Sequence, residues 1–189
     1  MKSVILISMV IAITLGATCR STIASPEPLP LKPFEHVDLN QYAGLWYEIA
    51  HYPNKVQEGC NNSIVRFSRR INGEIDILNS CRDKQSGKLH HVDGVGWLFD
   101  KTTNARLKVS FFWPFRKEYI IIDQGKEYEY SVICTSDRKH LWIIARSPSI
   151  NSTILENILL NIEKQGFQRA LLVKTEHAKD APPDEVSTK

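Results

Sequence analysis

The chain has 189 residues, enough for one domain with a buried core plus a leader. Charged residues make up 24% and apolar ones 42%, which excludes an intrinsically disordered chain. The formal net charge of +3 is too small to argue for nucleic-acid binding, and loss of residues 1–24 would leave only +1, because Lys2 and Arg20 go with them.

The N-terminus reads as an export signal. Lys2 supplies a positive start, Val4 to Leu15 is an apolar core too short to span a bilayer, and small residues follow. Residues 1–24 are therefore expected to be removed. Two processing routes stay open. Thr22-Ile23-Ala24 suits cleavage of a soluble exported protein, whereas Cys19 suits the lipidated first residue of a bacterial lipoprotein. Export is expected in either case: to the outer membrane as a lipoprotein facing the periplasm if the host is a bacterium, with a soluble periplasmic or secreted protein as the alternative. Residues 25–35 carry four prolines, Pro26, Pro28, Pro30 and Pro33, and read as an extended tether.

Asp38 is placed to cap a short helical turn over Leu39 to Tyr42. Gly44-Leu45-Trp46-Tyr47-Glu48-Ile49-Ala50 then opens the first strand, about residues 45–52. A second strand is predicted over 63–69, and Asn72-Gly73 is the best hairpin signal in the chain. The third, 74–81, puts Ile75, Ile77 and Asn79 on one face. The fourth, 90–99, has Gly94 and Gly96 on one face, a sign of tight curvature or close approach of another group. The fifth, 105–112, sets Leu107, Val109 and Phe111 against Lys108 and Ser110. The sixth covers 118–122. The seventh, 127–134, groups Tyr128, Tyr130, Val132 and Cys134, and the eighth, 140–146, groups Trp142, Ile144 and Arg146. Eight short runs joined by short turns predict an all-β fold, an eight-stranded antiparallel up-and-down β-barrel able to hold one small ligand. The period then changes. Ile154, Leu155, Ile158, Leu159 and Ile162 recur at helical spacing, with Asn151 or Ser152 to cap the start and Gly166 to end it, so a C-terminal α-helix should pack on the outside of the barrel. Leu171-Leu172-Val173 reads as a last short strand and residues 176–189 as a disordered tail.

Cys60 and Cys81 flank the first predicted hairpin and are the favoured disulfide pair for an oxidising compartment. A two-residue turn at Asn72-Gly73 would set Cys81 opposite Ile64, so the pair requires a bulge or a loop that folds back. Cys134 ends an apolar run and reads as a buried free thiol. His90 and His91 are adjacent and face opposite sides of a strand, and no Cys/His spacing suits zinc, so no metal and no cofactor is expected. There is no phosphate loop and no Gly-x-Ser-x-Gly elbow.

The order of Gly44-x-Trp46 on the first strand, Glu127-Tyr128 opening the seventh, and Leu141-Trp142-Ile143-Ile144-Ala145-Arg146 before the helix resembles the lipocalin family over about residues 36–175. Trp46-Tyr47-Glu48-Ile49-Ala50 and Leu107 to Phe112 with Pro114-Phe115 are most similar to the group that contains bacterial Blc and apolipoprotein D. The resemblance implies that Gly44, Trp46 and Arg146 close one end of the barrel, and a guanidinium over an indole contributes about 0.5–2 kcal/mol. It also implies a non-enzymatic role: binding, storage or transport of a fatty acid, lysophospholipid or similar lipid for membrane maintenance, with a homodimer as a further implied partner state. The residues expected to meet the ligand are Tyr128, Tyr130, Trp142, Asn79 and Glu48. A membrane surface becomes a partner if Cys19 is lipidated. Two alternatives are an interaction module using the loops Lys55 to Asn61 and Phe112 to Lys117, and an isomerase using Cys134.

Overall fold

The computed structural model describes residues 30–178. The expected leader, Cys19, residues 25–29 of the tether and residues 179–189 of the expected tail lie outside the described residues. Helix α1 (Leu39–Tyr42) is capped by the Asp38 side chain, which accepts from the Asn40 amide. Eight strands follow: β1 (Gly44–His51), β2 (Cys60–Arg69), β3 (Ile75–Asp83), β4 (Leu89–Leu98), β5 (Arg106–Phe112), β6 (Phe115–Gln124), β7 (Tyr130–Thr135) and β8 (Leu141–Ala145). Helix α2 (Ser152–Lys164), a 3₁₀ turn (Arg169–Leu171) and β9 (Val173–Lys174) complete the described chain.

Each strand pairs antiparallel with the next, and β1 closes the ring. Its first half, Gly44 to Tyr47, pairs with β2, while Tyr47 to His51 pairs with β8. The end of β1 also takes up β9, through Ala50 and His51. This is the expected closed eight-stranded barrel, with one added short strand. A bulge in β1 between Glu48 and Ala50 turns Glu48 and His51 toward the same side as their partners Ile144 and Trp142.

The first hairpin differs from expectation by one residue. The last β2–β3 pair is Arg69 with Ile75, and the Arg70 amide donates to the Glu74 carbonyl at 2.8 Å. The tip is thus Ile71-Asn72-Gly73, with Gly73 at φ +86, a left-handed conformation that glycine adopts without strain. The shift places Ile64 opposite Ser80. A bulge between Asn61 and Ile64 then brings Cys60 to within 5.6 Å, Cα to Cα, of Cys81, and the two form the disulfide.

Two apolar clusters share the barrel wall. The inner one joins Val37, Tyr42, Trp46, Phe67, Ile77, Leu107, Ile121 and Ile144. The outer one lies between the wall and α2 and includes Ile49, Ile120, Val132, Cys134, Ile143, Ile158 and Ile162. Asn151 caps α2 by accepting from the Thr153 and Ile154 amides. Helical periodicity had marked its apolar face, and that face packs on the outside of the barrel as expected. Gly94 and Gly96 mark close approach: a Cβ at Gly94 would sit 2.6 Å from the Phe111 ring, and one at Gly96 3.2 Å from Leu107.

The ends of the described chain are more ordered than their composition suggested. Leu31 is buried in the outer cluster, and the Phe34 amide donates to the Ile121 carbonyl at 2.8 Å. Residues 30–35 therefore pack along the barrel instead of forming a free tether. At the other terminus, the Glu176 carbonyl and the Ala178 amide both bond to Asn62, so the predicted tail is tied down as far as 178.

The closed end is a knot built on Arg146. Its guanidinium lies 3.7 Å from the centroid of the Trp46 ring. It donates to the carbonyls of Gln41, Tyr42, Ala43 and Leu45 at 2.6–3.1 Å. Trp46 is fully buried and its indole N–H donates to the Tyr42 carbonyl at 2.9 Å. Gly44 has φ +105, and a Cβ there would lie 3.3 Å from Arg146 Nη1. Replacing Arg146 by alanine removes the guanidinium donors from four carbonyls, of which Tyr42 keeps the Trp46 indole N–H, and removes the stacked cation. We expect a loss of about 2–4 kcal/mol in denaturant unfolding, with Arg146→Lys between the two because an ammonium cannot span the fan of carbonyls.

Burial pushes the Cys134 thiol from its ordinary 9.0 up to about 12. The folded state therefore holds the proton more tightly than the unfolded chain. The associated stability is present in full below pH 9 and is lost as pH rises toward 12. Unfolding midpoints measured across that window should fall for the parent and fall less steeply for Cys134→Ala, and iodoacetamide should not label the native thiol.

Candidate functional site

The barrel encloses a cavity of about 1080 Å³. Tyr42 lines it at the closed end, with the Trp46 ring packed against Tyr42, centroids 5.0 Å apart. The loops that follow β1, β3, β5 and β7 surround the open mouth, because these strands run away from the closed end. The lower walls are aliphatic and aromatic: Val65, Phe67, Ile75, Ile77, Leu107, Val109, Ile121 and Ile144 all line the cavity. Asn79 lines it on the same face of β3 as Ile75 and Ile77, the alternation read from the sequence. Ser63 also lines the cavity, and its buried hydroxyl has no hydrogen-bond partner among the described residues.

The upper wall carries an aromatic stack and a polar cluster. Trp142 lies nearly parallel to Tyr119, centroids 5.4 Å apart, and to His140, 5.7 Å apart. Burial, with a smaller contribution from Asp137, pushes the Tyr119 phenol up to about 12. Burial and then Lys117 hold the His140 imidazole below its ordinary value. Glu48, only 5% exposed, has both oxygens engaged. Thr175 Oγ1 donates to Oε1 at 2.6 Å, with His51 Nδ1 2.8 Å from the same atom, and Gln57 Nε2 donates to Oε2 at 2.5 Å. Gln57 Oε1 in turn accepts from the Trp142 indole N–H at 2.8 Å and from Asn54 Nδ2 at 2.7 Å. One side chain thus ties the loop after β1 to two different strands beside the mouth.

Of the five residues expected to meet a ligand, Trp142, Asn79 and Glu48 line the cavity. Glu48 does so as an acceptor saturated by protein donors, so its geometry is that of a structural hydrogen-bonding centre. Tyr128 and Tyr130 do not line it, and the expectation for both is corrected. Tyr128 lies outside any strand, in the turn before β7 with φ +56, and its hydroxyl accepts from the Asp38 amide at 2.8 Å at the closed end. Tyr130 packs against the outer cluster and its hydroxyl donates to Asp123. The alternation on β7 was read correctly, but the face was inverted. Tyr130, Val132 and Cys134 look out toward α2, while Ile133 lines the cavity. Both faces of β7 are buried, so burial of the apolar set could not tell the two sides apart. Cys134 accordingly faces away from the cavity, which removes the geometry that the isomerase alternative required.

Sequence reasoning missed Gln57, Tyr119, His140, His51 and Thr175. Tyr119 shares the alternation of Ile121 on β6, a usable signal. Gln57 stands in an irregular loop, His51 turns inward only because of the β1 bulge, and Thr175 arrives from the far end of the chain, so no local pattern marks them. Among the described residues no group of His, Cys, Asp and Glu side chains is arranged to hold a metal ion, and no helix is long and apolar enough to cross a membrane.

Comparison with known proteins agrees with this architecture. The family model described as a lipocalin-like domain matches residues 37–177. The outer membrane lipoprotein Blc of Escherichia coli K12 is 30% identical over 148 residues, which cover 77% of this chain and 84% of that one. Apolipoprotein D of Bos taurus is 29% identical over 142 residues, covering 68% and 74%. Among solved structures, insecticyanin from the tobacco hornworm Manduca sexta superposes with a TM-score of 0.65 at 16% identity, covering 79% and 85%. With its closed barrel, its Trp46–Arg146 floor and these matches, the chain belongs to the lipocalin family.

Proposed function

We propose that this lipocalin is a non-catalytic carrier of a lipid amphiphile with a long acyl chain, a fatty acid or a lysophospholipid. The observation that carries the reading is the cavity: about 1080 Å³, apolar below and polar at the mouth, closed at one end and open at the other. That volume is at the upper end of the roughly 300–1,000 Å³ of small-molecule sites. Burial of each methylene contributes about 0.8 kcal/mol, so ten carbons in the aliphatic lower barrel supply about 8 kcal/mol before the costs of association. The headgroup then lies at the level of Trp142, Tyr119 and His140, where polar atoms begin.

The names of similar proteins support a place for it. Blc is described as an outer membrane lipoprotein. We infer that this chain is exported, is acylated at Cys19, faces the periplasm and serves membrane maintenance by binding lipids there. Mass spectrometry of the mature N-terminus tests the location: a diacylated Cys19 at the first position supports it, and an unmodified N-terminus after Ala24 overturns it.

Binding is tested by titrating the purified protein with a fluorescent fatty acid and a fluorescent lysolipid. Saturable binding at one site is expected, with Trp142→Ala weaker by about tenfold, the equivalent of roughly 1.4 kcal/mol of ring contact. No saturable binding of either probe by folded protein sinks the carrier reading. Gln57→Ala removes three side-chain hydrogen bonds, two of which tie the mouth loop to β1 and β8, each about 0.5–1.5 kcal/mol, and stopped-flow displacement should show dissociation faster by roughly tenfold. An unchanged dissociation rate would mean that this loop does not gate the mouth.

A further inference from the structure

Four of the five most exposed large apolar side chains of the described residues gather at the mouth. Val56 is 73% exposed, Phe112 67%, Trp113 73% and Phe115 78%; Ile71, at the opposite end, stands apart. Val56 belongs to the loop after β1, Trp113 to the turn between β5 and β6, and Phe112 and Phe115 to the strand ends that flank that turn, and both segments border the same opening. Nothing in the cavity's own packing requires rings that face water. An exposed apolar cluster of this kind marks a surface that meets something else.

The charges around it have a sign. Lys55, Arg116, Lys117 and Lys139 border the mouth, against Glu58 and Asp83. The Asp83 carboxylate is occupied within its own turn, accepting from the Ser86 hydroxyl and amide and from the Gln85 amide. The Arg116 guanidinium is held 4.7 Å from the ring centroids of both Trp97 and Trp113, which fixes a cation beside the most prominent indole. Aromatic rings interleaved with long-stemmed cations suit the headgroup layer of a bilayer that carries negative lipids. The cavity also opens inside this patch. A protein seated there would cap it, whereas a bilayer would join it to a supply of acyl chains with no passage through water.

We propose that the lip formed by Val56 and Phe112 to Lys117 docks on an anionic lipid bilayer, so that the barrel stands mouth-down on the membrane. The proposal deepens the carrier reading, on which it rests, by naming the surface where cargo is exchanged. Docking is read with an empty barrel and no cavity probe, so its failure and that of cavity binding are separate results.

The test is flotation of the chain carrying Cys19→Ser, so that no acyl group at that position contributes, with vesicles of phosphatidylglycerol and phosphatidylcholine or of phosphatidylcholine alone. Binding to the anionic vesicles should be stronger by on the order of tenfold. The combined variant Phe112→Ser, Trp113→Ser, Phe115→Ser should lose at least that factor while its circular dichroism and thermal midpoint stay those of the parent. Lys55→Glu with Lys117→Glu should abolish the preference for anionic vesicles without touching the rings. In the parent, acyl chains brominated near the headgroup should quench fluorescence, and Trp113→Phe should remove that quenching. Equal binding by the parent and both variants, or no quenching of Trp113, overturns the proposal. So does a parent dimer that the ring variant dissociates while no protein floats with vesicles, because the lip would then be the interface between two copies.

Discussion

Arg146 holds the barrel shut. A closed sheet needs its first strand to pair on both sides, and β1 meets β2 with one half and β8 with the other. Arg146 stands just past the end of β8 and fastens that junction from outside the ladder, covering the Trp46 ring and collecting the carbonyls of α1 and the start of β1. No carboxylate partner is needed, because four carbonyl dipoles face the cation. The same contact dictates glycine at position 44, where a side chain would compete for the space of the guanidinium. Everything above the floor depends on this closure. Without it the inner apolar cluster would face water instead of a cavity.

The barrel wall serves two apolar environments at once. Its inner side holds the cavity, and its outer side, over β1, β6, β7 and β8, packs against α2. On these strands both alternating sets of side chains are buried, which makes the wall rigid but removes the usual distinction between wet and dry faces. The consequence is visible on β7. The aromatic set attracts a functional reading, yet it is the set under the helix. The cavity receives the more modest Ile133 from this strand, and its upper aromatics come from β6 and β8 instead, as Tyr119 and Trp142.

At the mouth, apolar packing gives way to hydrogen bonds. The β1 bulge allows Glu48 and His51 to share one side, Thr175 comes in behind β1, and Gln57 ties the loop to both Glu48 and Trp142. A buried carboxylate is tolerable only with its oxygens satisfied, and here protein donors satisfy both. This arrangement fixes the loop after β1 beside the mouth, at the end opposite the Arg146 contact. The exposed rings and the cations lie at this same open end.

The barrel, the helix, the disulfide pair and the Trp46–Arg146 contact were legible in the chain, and the helix cap was narrowed to Asn151 or Ser152. Two-residue alternation, turn residues and a later switch to helical spacing are local properties that single segments carry. The motif residues added the pairing of positions a hundred residues apart. Three things required the tertiary structure. The side of the wall on which Tyr130 and Cys134 fall depends on where α2 lies, and alternation alone is symmetric with respect to that choice. The Cys60–Cys81 register depends on two compensating irregularities, a longer hairpin tip and a bulge after Asn61, whose sum is invisible to a count along the sequence. The hydrogen bonds that engage Glu48 come from Gln57, His51 and Thr175, which converge on it from a loop, a bulge and the C-terminal segment. Periodicity describes one strand at a time, whereas a buried charge is satisfied by whatever the closed fold brings to it.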